Sequence, residues 1–284
     1  MQYEIPRIPL GEWVEMFIDF LLRYLSGSTR WLSREMNGVL SSFEGALLAV
    51  HPLVLIIAFA AGIGYMTRKR GLTVFIFLGL SLVWNLDLWP AAMSTLTLVL
   101  VATFLAVAIG IPLGILAAVY KSFYNVIMPT LDLMQTMPAF VYLIPAIPFF
   151  GLGKVSALFA TMIFATPPAI RFTCLGIRQV PAELVECADA FGATRLQRLI
   201  KLELPVAAPS ILAGVNQTIM LSLSMVVVAA MIGAKGLGGE VWRAIQRLEM
   251  GSGFEAGLGI VILAICLDRV LQSLVSRIRS KNRV

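Results

Sequence analysis

Seven apolar stretches, at approximately 51–66, 72–88, 91–119, 125–150, 155–178, 209–233 and 256–276, occupy most of the 284-residue chain. Roughly 20 apolar residues are needed to cross the hydrocarbon core of a bilayer. Inside that core no water is on hand for stray amides and carbonyls, so such stretches are restricted to helices that satisfy their own hydrogen bonds. Composition agrees: 59% of residues are hydrophobic and 13% are charged, against about 25% charged in ordinary soluble domains. The sequence therefore predicts an all-α polytopic membrane protein with about seven transmembrane helices, the first two of them short.

The net charge of +6 points to nucleic acid only until the charges are placed. If the N-terminus is outside, most of the 22 basic residues fall inside: Arg68 to Arg70, Lys121, five from Arg171 to Lys201 and five from Arg269 to Arg283. Most of the 16 acids then fall outside. Basic residues gather on the cytoplasmic side of membrane proteins, which favours an N-terminus outside and a C-terminus inside the cytoplasmic membrane. Trp84 and Trp89 then come to the outer interface, where indoles favour the water–lipid boundary, and His51 lies there too. The partner implied is the lipid bilayer and not a nucleic acid.

Residues 1–50 differ from the rest. No basic segment precedes an apolar core, which argues against a cleaved signal peptide. Over 11–25 the polar Glu12, Glu15, Asp19 and Arg23 form one stripe, away from Trp13, Phe17, Phe20, Leu21 and Tyr24. Such a helix either lies in the bilayer interface or packs on the bundle. Residues 30–50 read as a second, weaker helix. The expected divisions are this extracytoplasmic or interfacial amphipathic segment at 1–50, a membrane domain at 51–276, and a basic cytoplasmic tail at 277–284.

One polar loop, 179–208, interrupts the spans with unusual local order. Pro181 suits a helix start, Glu183 and Glu186 sit near the positive end of that helix's dipole, and Gly192 is a natural C-terminal stop. Thr194 and Gln197 have the spacing of a capping box for a second short helix, expected to end before Pro205. The run Glu186-Cys187-Ala188-Asp189-Ala190-Phe191-Gly192, then nine residues, then Leu202-Glu203-Leu204-Pro205 resembles the EAA loop of bacterial ABC-importer permeases. That resemblance implies coupling to an ATPase through Glu186, Ala188, Phe191, Gly192, Leu204 and Pro205. Cys187 and Leu202 depart from the pattern by small or apolar substitutions.

Within the membrane, Gly110 and Gly114 around Pro112, and Gly62 with Gly64, permit close helix approach. Pro129, Pro138, Pro145 and Pro148 in the fourth span, and Pro167-Pro168 in the fifth, are expected to bend those helices. Bent helices with freed carbonyls are tolerated where they line a cavity, which makes these two spans the expected pathway wall. Asp132 and Arg171 lie at similar depth on consecutive spans, and a pair spares each the cost of an isolated intramembrane charge. Alternatively, Arg171 snorkels to the phosphates and Asp132 caps the bent helix. Cys174, Cys187 and Cys266 have no metal-ligand spacing and read as small buried residues. No catalytic or metal constellation is present, and Gly153-Lys154 lacks the glycine spacing of a phosphate-binding loop. The chain reads as a transport component and not an enzyme.

The run from Leu131 to Ala146, the run from Asn216 to Met231, and Gly236-Leu237-Gly238 narrow the resemblance to permeases of bacterial glycine betaine/proline betaine importers. This implies a type I ABC-importer permease fold and a homodimer. It also implies two cytoplasmic ATPase subunits that carry ATP and Mg, and an extracytoplasmic substrate-binding protein. Osmoprotectant quaternary amines would be the substrates. A quaternary ammonium favours aromatic faces and its carboxylate wants hydrogen-bond donors. Gln135, Thr136, Phe140, Tyr142, Asn216 and Gln217 have the right chemistry at mid-membrane, and Gly233 with Gly236 to Gly239 reads as a flexible outer turn that meets the binding protein. The alternative is an ion-coupled secondary transporter of small zwitterions, which should show internal repeats and more intramembrane charge.

Overall fold

The structure is a computed structural model that describes residues 9–67 and 70–281, with side chains to Ser273. The tail at 277–284 lies beyond those side chains, and Arg68 and Lys69 lie outside the described residues. Helix α1 (Leu10–Ala49) is one element of 40 residues where the sequence implied two. Its interior breakers are glycines, each tolerated at about 1 kcal/mol, and no proline stops it. The chain then turns by 95° into α2 (Pro52–Thr67), which Pro52 opens at a position where a missing N–H costs nothing. Next come α3 (Arg70–Asn85) and α4 (Trp89–Val119).

The expected fourth span is not one kinked helix. Helix α5 (Lys121–Thr136) ends before Pro138, and Met137 and Pro138 are both extended. A short 3-10 turn (Ala139–Tyr142) then leads into α6 (Leu143–Phe150), set at 112° to α5. The reason is local: proline pushes its predecessor out of the helical region and cannot donate to the preceding turn. By contrast α7 (Lys154–Arg178) runs unbroken through Pro167-Pro168, both buried.

Helix α8 (Ala182–Ala190) and α9 (Arg195–Arg198) follow. The second short helix does not stop at Pro205. It passes through a π-helical segment (Leu199–Glu203) directly into α10 (Leu204–Ala230). Pro205 stands in the first turn of α10, just after the π turn, where the Leu204 amide donates to the Leu199 carbonyl. The chain ends with α11 (Leu237–Arg247) and α12 (Met250–Lys281).

Among the described residues four helices, α4, α7, α10 and α12, are long and apolar enough to cross a membrane. The count reaches six if α1 with α2 and α5 with α6 each form one bent span, and α3 is a shorter apolar helix. The centre is α7, gripped by α4 on one side and α10 on the other through small residues. A Cβ on Gly110 would lie 2.6 Å from the Ala169 Cβ, and one on Gly114 would lie 2.6 Å from the Thr173 Cβ. Gly176 meets Ala207 and Ser210 of α10 in the same way, and Gly214 meets Phe172 and the Pro168 carbonyl. Backbones this close gain dispersion contacts that lipid chains cannot match. Gly64 abuts Thr73 of α3, whereas Gly62 faces open space and packs on nothing.

A first apolar core gathers Val99, Ala102, Leu158, Leu223 and Met225, with Leu40 of α1 pressed against it. A second joins α2, α3 and α12 to the start of α4 through Ile56, Ile76, Trp89, Ile262 and Cys266. Trp89 is therefore buried inside the bundle, beside a small apolar cavity of about 30 Å³, while Trp84 stays exposed with His51 at its edge. The glycines at 236–239 are likewise packed and not a flexible turn. Gly236 has φ +121° and leaves no room for a Cβ beside Thr95, whose hydroxyl accepts the Leu237 amide at 2.8 Å. Gly238 lies against the Val226 carbonyl, so these residues start α11 within the bundle.

Candidate functional site

The loop between α7 and α10 is built as a knob. Helix α8 ends in a Schellman motif: the Gly192 amide donates to the Asp189 carbonyl at 2.9 Å, and the Ala193 amide reaches back to Ala188 at 3.1 Å. Gly192 has φ +75°, with nothing within 4 Å of where a Cβ would stand. The chain reverses there and α9 begins on a complete capping box, Thr194 accepting from the Gln197 amide while the Gln197 side chain accepts from Thr194. Arg198 then donates to both oxygens of Asp189, at 2.9 and 2.7 Å, and through Nε to Glu203 at 2.9 Å. The Asp189 hydrogen bond is the main reason its guanidinium holds its proton more firmly than usual.

Among its charged residues this knob exposes large apolar ones. Phe191 at the tip is 88% exposed, and Leu184, Leu196 and Ile200 are exposed beside it. Large apolar side chains gathered on a charged loop mark a contact surface. Of the residues named from the sequence, Glu186 and Pro205 are exposed while Ala188 and Leu204 are half-buried. Leu184, Leu196 and Ile200 were missed, although leucines at helical spacing beside Phe191 carried the signal. Cys187 is exposed on α8 and not buried, whereas Cys174 and Cys266 are buried.

The mid-membrane candidates divide into two groups. Gln135, Thr136, Phe140 and Gln217 present themselves to open space on α5, the 3-10 turn and α10. Thr136 returns its hydroxyl to the Leu133 carbonyl at 2.9 Å. Tyr142 is only 6% exposed, packs edge-on against Phe164, and donates its hydroxyl to the Met134 carbonyl across the break. Asn216 donates to Asp268 of α12 at 3.1 Å. Tyr142 thus spends its hydroxyl and Asn216 its amide nitrogen inside the fold, while the buried Asn216 Oδ1 finds no hydrogen-bond partner among the described residues. Most of α7 is buried between its neighbours, so the open face belongs to the broken segment and α10 and not to the fifth span.

Charges join the helices at three further places. Arg171 of α7 is ion-paired with Asp132 of α5, and one turn pair further along, the Arg178 guanidinium stacks 4.0 Å above the Tyr124 ring. Lys154 at the start of α7 is paired with Glu44 of α1. Asp268, which also accepts from Gln272 at 2.7 Å, is a second acid within a span that the sequence reading passed over.

Residues 110–280 match the family described as the binding-protein-dependent transport system inner membrane component. The chain belongs to that family. It is a multi-pass permease subunit of a membrane transporter, and the matched region holds α7, the knob and α10. Related permeases align over nearly its whole length. The glycine betaine/carnitine transport permease protein GbuB of Listeria monocytogenes is 47% identical over 98% of this chain and 99% of its own. The glycine betaine transport system permease protein OpuAB of Bacillus subtilis is 44% identical over 98% of each. The glycine betaine/proline betaine permease ProW of Escherichia coli is 45% identical over 96% of this chain and 77% of its own. Among solved structures, an inward-facing form of the MetNI methionine ABC transporter superposes with a TM-score of 0.59, over 70% of this permease and 97% of that chain, at 23% identity. The fold is thus that of a type I ABC-importer permease.

Proposed function

We propose that the chain is the membrane-spanning subunit of an ATP-driven importer for glycine betaine and related quaternary-amine osmoprotectants. The observation that carries the coupling part is the knob itself. A rigid helix with an exposed aromatic tip stands between α7 and α10, the two helices that build the centre of the bundle. The substrate class is supported by relatives at 44–47% identity whose names specify glycine betaine, with carnitine or proline betaine beside it.

In this reading two copies form a homodimer, and two ATPase subunits carrying ATP and Mg dock on Glu186, Ala188, Phe191, Gly192, Leu204 and Pro205. An extracytoplasmic binding protein meets the opposite end, and the basic loop and C-terminus face the cytoplasm. Substrate passes Gln135, Thr136, Phe140 and Gln217, whose aromatic and amide groups suit a cation with a carboxylate.

Reconstitution with the partner subunits in proteoliposomes tests the function. ATP-dependent uptake of labelled glycine betaine, competed by carnitine and proline betaine, is expected. Uptake driven by an ion gradient without ATP overturns the proposal. Orientation is tested separately: cysteine at Ser28→Cys should react with an impermeant thiol reagent in intact cells and Ser280→Cys should not.

A further inference from the structure

Helix α8, all nine of whose residues are described, fully buries none of its side chains, and only Val185 and Ala188 are half-buried. Its angle to the membrane helices is therefore set only weakly by apolar packing, which orders most elements of a fold. The backbone linking it to α9 is the Phe191-Gly192-Ala193 reversal, held only by its two Schellman amide bonds around a glycine at φ +75° whose Cβ position has nothing within 4 Å. The side-chain tie across that reversal is Arg198. Its Nη1 donates to both Asp189 oxygens, near the end of α8, while its Nε donates to Glu203, the last residue of the π segment and only 12% exposed on its side chain.

We infer that Arg198 is the positioning residue of the coupling knob. By holding Asp189 and Glu203 at once it makes α8, the π segment and the base of α10 one rigid body. Movement imposed on Phe191 is then delivered to α10 instead of being lost in the Gly192 turn. A lysine cannot substitute, because an ammonium is a point charge and the geometry uses a planar fork in two directions. This inference rests on the reading that α8 docks an ATPase, and it deepens that reading by naming what transmits the motion.

The test has two arms. In the permease alone, in nanodiscs, hydrogen exchange of the amides at 182–190 should quicken about tenfold in Arg198→Met and about as much in Asp189→Asn. Arg195→Met, which removes a charge on the same short helix, should leave it unchanged. In the complete transporter, Arg198→Met should lower glycine betaine transported per ATP by about tenfold while the ATPase still co-purifies, and Arg198→Lys should recover only part of that. Unchanged exchange in Arg198→Met overturns the tether. Faster exchange with normal transport per ATP, or full rescue by lysine, overturns the positioning role. Cysteine cross-linking from Phe191→Cys to the ATPase in an otherwise wild-type complex stands apart: its failure removes the docking reading and the transmission role with it, whereas the exchange result stands on its own.

Discussion

Arg171 of α7 donates to the carboxylate of Asp132 on α5, so the centre of the bundle holds a helix that packing alone secures weakly. Only Leu131 of α5 is fully buried. Asp132→Asn and Arg171→Gln should each reduce transport several-fold. The double variant should lose less than the product of the two, since neither group is left facing an absent partner. Uptake rates for the four members of this cycle measure the coupling; independent losses would assign the two residues separate roles.

Gly192 needs its glycine for backbone reasons alone, because a side chain there would meet open space. A left-handed conformation costs an ordinary residue about 1–2 kcal/mol, and asparagine tolerates it best. Gly192→Val should abolish uptake while the protein still inserts, and Gly192→Asn should keep most of it. Equal loss in both would point to a steric role that the geometry does not contain.

The glycines along α4 and α2 have opposite expectations. On Gly114 a side chain would run into the Thr173 Cβ and the Ile170 carbonyl, at 2.6 and 2.7 Å. Gly114→Val should part α4 from α7 and prevent accumulation of folded protein. Gly62→Ala, with nothing within 4 Å, should be neutral or slightly stabilising, by up to about 1 kcal/mol from helix propensity. Membrane-fraction yield and size-exclusion profiles separate the two.

The link from Asn216 to Asp268 should appear in stability. Asn216→Leu places an apolar group against a half-buried carboxylate that loses one donor, a cost of about 1–3 kcal/mol. The midpoint of thermal unfolding in detergent should fall, and Asp268→Leu added to it should restore part of the loss. A further fall on adding the second substitution would show that Asp268 has more important partners than Asn216.

Much of this arrangement was legible in the chain. Gly192, Thr194 and Gln197 act through neighbours three to five residues away, so their capping roles could be read from spacing. Gly110 and Gly114 declared a close contact, though not with which helix. What escaped reading depends on distant partners. Trp89 belongs inside because Phe59, Leu80 and Leu263 surround it. Gly236 is rigid because Thr95 stands beside it. Pro138 breaks its helix outright, while Pro129, Pro148 and Pro167-Pro168 stand inside theirs whether exposed or buried, so the proline positions alone do not say which one ends a helix. The same holds for the Tyr142 hydroxyl and the Asn216 amide nitrogen, which look free in sequence and are committed in space.

The π segment from Leu199 to Glu203 gives the loop between α7 and α10 a definite phase relative to the bundle. Each residue of an α-helix advances the helix face by about 100°. A single deletion or insertion within this segment would leave α8 and its aromatic tip intact, yet rotate them around the axis of α10 by more than a quarter turn. The faces of α10 that carry Gln217 and Asn216 would keep their places in the bundle while the knob pointed elsewhere. The knob is thus set like a crank on α10, its throw fixed by residue count as well as by the residues it carries.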